Sequence, residues 1–222
     1  MTVIDAIQRR HSVRRYTGQR VEDDILAALQ AEVKACNSES GLNIQLVTDA
    51  PDTFNGFLAK INFSGTRNYI VLVGKESPDI EEKAGFYGER LVLKAQQLGL
   101  NTCWAAAFNK KKFAAQIGND EKIVIIIVFG YGAMQGVPRK SKPLESLCKV
   151  DGDMPDWFRS GMEAAMLAPT ARNQQKFLFT LSGNTVKAES IGGPFAKIDL
   201  GIVKYHFQIG AGIDNFKWVD PL

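Results

Sequence analysis

Apolar residues fall at helical spacing in several separate stretches of the chain. Thr2 with Asp5 three positions later resembles a capping box, and Val3, Ala6 and Ile7 then predict a short opening helix. Further amphipathic helices are predicted over residues 22–36, 51–61, 77–99, 155–167 and 195–209, with a small one near 110–117. Continuous or alternating apolar runs predict strands over 42–48, 69–74, 102–107, 122–130, 177–181 and 185–190. Helices and strands are mixed without a strict βαβ rhythm, so the expected class is α+β, with central sheets flanked by helices.

Composition narrows the setting more than the chemistry. The chain has 222 residues, 45% of them hydrophobic and 23% charged, which is ordinary for a globular protein. A net charge of +3 is too slight to imply nucleic acid or an anionic membrane. Cys36, Cys103 and Cys148 are widely spaced and lie near no histidine, so neither a disulfide framework nor a metal site is expected. The opening MTVIDAIQRR lacks the apolar stretch of a signal peptide, and the longest apolar run, residues 123–129, is far short of a membrane span. These features predict a cytoplasmic protein with no membrane partner.

Two internal matches occur in the same order. LNIQLVTD at residues 42–49 is similar to RNQQKFLF at 172–179, where Asn43 and Gln45 match Asn173 and Gln175. GERLVLKAQQLG at 88–99 is similar to DLGIVKYHFQIG at 199–210, where Gln97 matches Gln208. A conserved order of two matches points to duplication, with a first repeat over 1–150 and a shorter second repeat over 151–222 that pack as one globular unit.

The segment RRHSVRRYTG, residues 9–18, follows the opening helix, and PTARNQQ, residues 169–175, follows a later one. Arg10-His11-Ser12-Val13-Arg14 resembles the Arg-x-Ser-x-(Arg/Lys) motif of the nitroreductase family of flavoproteins, and Pro169-Thr170-Ala171-Arg172-Asn173-Gln174-Gln175 resembles its Pro-Ser-x-x-Asn-x-Gln motif. LGLNTCWAAAFN, residues 98–109, is similar to the family segment that borders the flavin ring, and GYGAMQGVPRKSKPLESL, residues 130–147, to its basic segment. The two leading motifs stand far apart here, and the place expected for the second, near Asn43, holds a degraded copy. That arrangement resembles a branch of the family in which two shortened tandem repeats in one chain mimic the family dimer.

The resemblance implies a nitroreductase-like fold, FMN as cofactor and one flavin site per chain, in a monomeric pseudo-dimer or weak homodimer. Arg10 and Arg14 would give forked, charge-assisted bonds to the phosphate, and Ser12 would donate to a phosphate or ribityl oxygen. In an extended segment these three alternate side chains share one face. His11 would contact the flavin, Arg139, Lys140 and Lys142 are further phosphate candidates, and Ala105, Ala106 and Ala107 would let backbone groups approach the ring. Pro169, Thr170, Ala171, Asn173 and Gln175 form the second motif, in which the Asn173 carboxamide suits the amide-like flavin edge.

The implied activity is transfer of hydride from NAD(P)H through the flavin to a nitroaromatic, a quinone or a free flavin. The flavin supplies the chemistry, so no catalytic side chain is expected. A flavin-binding protein with a storage or specialised role is the alternative within the fold. A basic nucleic-acid module using residues 9–15 is the alternative outside it, although no recognition motif accompanies the cluster. Lys176-Phe177 stands where Pro and an aromatic residue usually follow the second motif, and Arg172 replaces a small residue, so the substrate side is expected to differ.

Overall fold

A computed structural model describes residues 1–54, 63–106 and 113–222. It has two compact units, which interleave along the chain. One comprises Arg9–Ile80 and Leu91–Pro138, the other Met1–Gln8, Glu81–Arg90 and Arg139–Leu222. Compactness and duplication are different properties, so the repeat boundaries 1–150 and 151–222 stay a proposal.

The first unit is built on an antiparallel sheet in the order β1 (Gln45–Val47), β2 (Asn68–Lys75), β4 (Glu121–Gly130), β3 (Asn101–Ala105). The apolar runs of β2 and β4 occupy its centre, and nearly every β2 residue is buried, as expected of strands covered on both faces. Helix α2 (Asp23–Ser40) buries Leu29, Val33 and Cys36. It runs beyond the predicted end to Gly41, whose φ of 71° makes the left-handed turn that closes it. The strand predicted over 42–48 is correspondingly shorter. The Asn37 side chain accepts from Ile44 N at 2.7 Å and donates to Ile44 O at 2.9 Å, taking the place of a neighbouring strand there.

Two predicted helices fall partly outside the described residues. Of 51–61, Pro51–Phe54 forms a 3-10 turn. Of 110–117, residues 113–117 are irregular. Their backbone groups are taken by side chains instead: Ala114 N donates to the Tyr69 hydroxyl at 3.0 Å, and Gln116 N to Gln45 Oε1 at 2.8 Å.

The second unit holds the other sheet, in the order β5 (Cys148–Val150), β6 (Phe177–Ser182), β7 (Thr185–Ser190), β8 (Lys217–Trp218). The β6–β7 hairpin is antiparallel and each edge strand joins it in parallel. Both edge strands are too short to carry a periodic signal and were not predictable from the pattern. Helices α4 (Asp156–Met166) and α5 (Ala196–Ala211) pack closely, and Phe158, Phe179 and Phe207 form the fully buried centre of this unit. Phe179 stacks on Phe207 with centroids 4.7 Å apart.

Helix α1 (Val3–Arg9) opens with the predicted reciprocal cap, Thr2 N donating to Asp5 Oδ2 at 2.9 Å and Asp5 N to Thr2 Oγ1 at 3.1 Å. Helix α3 (Ile80–Gln97) contributes residues 81–90 to the second unit, where it crosses α5 with backbone against backbone. A Cβ on Gly85 would lie 2.1 Å from Ile198 O, and one on Gly201 would lie 1.9 Å from Glu82 O. The crossing is reciprocal and pairs Gly85 with Gly201. The match of Gln97 with Gln208 would instead set Gly85 against Ala196, more than a helical turn away, so the crossing does not follow the register of the sequence match.

The described residues therefore contain five α-helices and two sheets, an α+β fold as expected. Among them no helix is long and apolar enough to cross a membrane.

Candidate functional site

The basic segment is held by its backbone. Val13 N donates to Thr102 O at 3.0 Å, Tyr16 N to Ser64 O at 2.8 Å and Thr17 N to Tyr131 O at 2.9 Å. Arg14 O and Arg15 O accept from Ser64 N and Ala133 N at 3.1 and 2.8 Å. The extended chain sends Val13 and Tyr16 into the core, where the Tyr16 hydroxyl donates to Val13 O at 2.7 Å.

Arg10, Ser12 and Arg14 all lie near Cys103. All three act on the buried Cys103 thiol: burial raises its pKa, while the charges of Arg14 and Arg10 and a hydrogen bond with Ser12 pull it down. Arg10 is itself 2% exposed, whereas Arg14 is exposed. His11 Nδ1 lies 3.0 Å from Arg9 O, an acceptor, so that nitrogen carries the proton in the neutral ring.

Glycines let the loop after β4 lie against this segment. At Gly132 a Cβ would meet Val13 Cγ1 at 3.0 Å, and at Gly136, φ 79°, it would meet His11 Cβ at 2.6 Å. Gly136→Ala combines a strained backbone with this contact and is expected to lower stability by about 2 kcal/mol, read from the urea midpoint. Ala105 and Ala106 border a small apolar recess shared with Phe113, Ile123 and Ile125. Ala107 lies outside the described residues.

The second motif and the basic residues 139–142 belong to the other unit, and there they are tied together. After Thr170 the chain makes a 3-10 turn, Ala171–Asn173, in which Arg172 and Asn173 have φ 53°, followed by Gln175 at φ 45°. Asn tolerates this conformation, but Arg and Gln adopt it only when other contacts compensate. Those contacts come partly from residues 140–142. Buried Gln175 accepts from Lys142 N through Oε1 at 2.9 Å and donates to Lys140 O through Nε2 at 2.9 Å. Lys142 Nζ donates to Gln175 O, and Asn173 Nδ2 to Lys140 O, each at 2.9 Å. Thr170 Oγ1 accepts from Gln175 N at 3.1 Å.

These ties sort the three basic candidates. Arg139 Nη1 donates to Leu167 O at the C-terminal cap of α4, a favourable place for a cation, and Lys142 closes the turn. Lys140 takes part through its carbonyl and its side chain is exposed. Asn173 keeps one N–H and one lone pair beyond its bonds to Lys140 O and Gln175 Nε2. Pro169, between the end of α4 and the turn, is half-buried.

One residue of this arrangement was invisible in the sequence. Buried Asp199, in the first turn of α5, accepts from Ala171 N at 2.9 and 3.0 Å and from Gln174 Nε2 at 2.7 Å. Burial raises its carboxyl pKa to about 6, against the downward pull of those two hydrogen bonds. An aspartate near a helix start reads as an ordinary acid beside the positive end of the helix, and only the tertiary contact reveals another role.

A family model described as "Putative TM nitroreductase" matches residues 2–211. A structure from Thermotoga maritima titled as a putative nitroreductase is 24% identical with a TM-score of 0.69, covering 98% of this chain and 87% of that one. A putative NADH dehydrogenase/NAD(P)H nitroreductase from Parabacteroides distasonis is 22% identical, TM-score 0.53, covering 65% and 95%. A putative nitroreductase in complex with FMN from Desulfovibrio desulfuricans is 18% identical, TM-score 0.51, covering 70% and 98%. No curated protein sequence matches the chain.

Proposed function

Because the chain belongs to the nitroreductase family whose model spans residues 2–211, we propose that it is an FMN-dependent oxidoreductase carrying hydride from NAD(P)H to an electron-poor acceptor: a nitroaromatic, a quinone or free flavin. The observation that carries this reading is the backbone-clamped segment bearing Arg10, Ser12 and Arg14, all three of them near the Cys103 thiol. The donor set fits the group, since the exposed Arg14 guanidinium and the Ser12 hydroxyl suit a phosphate dianion, with the buried Arg10 adding positive charge behind them. Three or four such bonds are worth roughly 5–12 kcal/mol gross. Lys140 is the exposed cation of the second set and Asn173 offers its remaining donor and acceptor to an amide-like ring edge. Ala105 and Ala106 carry no side chain that would hold a flat ring away from the backbone. FMN, when bound, supplies the hydride and electron chemistry.

The order helix, strand, strand, helix, strand occurs twice among the described elements, as α2, β1, β2, α3, β3 and as α4, β6, β7, α5, β8, each with an antiparallel strand pair. This supports reading the chain as two repeats, 1–150 and 151–222; one flavin site per monomer and a cytoplasmic location complete the proposal.

The test is the absorption spectrum of the purified protein with the released flavin identified and counted. One FMN per chain is expected, with NADH or NADPH oxidation supported by menadione or a nitrofuran. Arg14→Ala and Asn173→Ala are each expected to weaken FMN binding at least tenfold, measured by flavin fluorescence. Unchanged occupancy in both variants would refute the site, and bound flavin without turnover would point to storage instead.

A further inference from the structure

We infer that Asp199 is a positioning residue, whose carboxylate holds the turn after α4 in the shape that presents Asn173 to the flavin. The inference rests on the FMN reading above and adds a residue to it.

Backbone strain marks the place. Of the five non-glycine residues with positive φ among the described ones, four lie here: Arg172, Asn173, Gln175 and Phe195. Such conformations persist only where surrounding contacts over-determine them. Residues 140–142 tie one side of the turn, and Asp199 ties the other. Its carboxylate takes the Ala171 N–H and the Gln174 carboxamide, while its own N–H donates to Phe195 O at 2.9 Å. Gln174 also donates to Pro194 O at 2.9 Å, and a Cβ on Gly193 would meet Gln174 Oε1 at 2.4 Å. Asp199 therefore couples the left-handed turn to the left-handed start of α5 through Gln174, which is bonded to both Asp199 and Pro194.

A carboxylate is the group this geometry requires. Both of its neighbours arrive as N–H donors: Oδ2 accepts from Ala171 N and from Gln174 Nε2, and Oδ1 accepts from Ala171 N as well, so both oxygens face donors. An asparagine would turn an NH2 toward one of them. If Gln174 reversed its amide to compensate, its oxygen would face the Pro194 carbonyl. One hydrogen bond is lost in either arrangement.

Asp199→Asn and Gln174→Leu are therefore each expected to raise the FMN dissociation constant about tenfold at pH 7.5, and to shift the visible absorption band of the bound flavin. Gln174→Leu leaves the Asp199 bond to Ala171 in place and carries the test if Asp199→Asn does not fold. A role confined to stability would lower the melting temperature of the flavin-free protein with the dissociation constant unmoved, and that result would overturn the inference. If Arg14→Ala and Asn173→Ala weaken FMN binding while the Asp199 and Gln174 variants do not, the inference alone falls. If none of the four changes it, the FMN reading falls first.

Discussion

Gly201→Ala is expected to destabilise the protein by about 3 kcal/mol or more, read from the urea midpoint. Two effects oppose each other. Alanine is the better helix former by up to about 1 kcal/mol, and Gly201 sits within α5, so an unpacked helix would gain from the change. Here the added Cβ would lie 1.9 Å from Glu82 O and 2.7 Å from Phe86 N. Both are backbone atoms of α3, so relief requires moving a whole helix rather than rotating a side chain. That movement loosens the close α3–α5 crossing, which interior packing density makes costly. Gly85→Ala is expected to act in the same direction, because its Cβ would lie 2.1 Å from Ile198 O. An unchanged midpoint in both variants would mean that the helices do not cross this closely.

Glu89→Leu should cost a similar amount, about 3 kcal/mol, because it leaves a buried imidazole without its acid. Neither Glu89 nor His206 has measurable exposure. His206 Nδ1 lies 3.0 Å from Ala164 O, which can only accept, so that nitrogen carries a proton. Nε2 lies 2.8 Å from Glu89 Oε1, and a second proton must lie between them, since two lone pairs at that distance would repel. The alternatives are therefore an imidazolium facing a carboxylate or a neutral ring facing a carboxylic acid. Glu89→Gln distinguishes loss of the proton from loss of the partner: its NH2 donates to the neutral ring, so a cost of about 1 kcal/mol or less is expected. Glu89→Leu with His206→Leu should recover part of the single-variant loss, because no polar atom of the pair is then stranded. Additive losses in that cycle would show that the two side chains do not act as a pair.

The path from sequence to fold was clearest where one local signal dominated. The strand Thr185–Ser190 forms over the predicted residues, and the Thr2–Asp5 cap forms as its spacing requires. Helix and strand ends moved where side chains competed for backbone groups, as Asn37 does at Ile44 and Gln45 at Gln116. Sequence spacing cannot anticipate such competition, because the partners in the second case are 71 positions apart. For the candidate site, the motif bearing Arg10, Ser12 and Arg14 was legible, since its residues are neighbours along the chain. The fate of the second basic group was not. Arg139 and Lys142 donate to carbonyl oxygens at a helix end and a turn, which no run of charges reveals.

By itself, the sequence determined the α+β class, the order of its main elements and the two motifs that mark it as a nitroreductase relative, because periodicity and motif spacing are properties of neighbours along one chain. Tertiary structure alone decided that Gly85 and Gly201 meet at a helix crossing, that Glu89 and His206 share a buried proton, and that Asp199 braces the turn at Asn173. Each of these depends on atoms brought together from distant positions, and the same residue types would be unremarkable on an exposed helix.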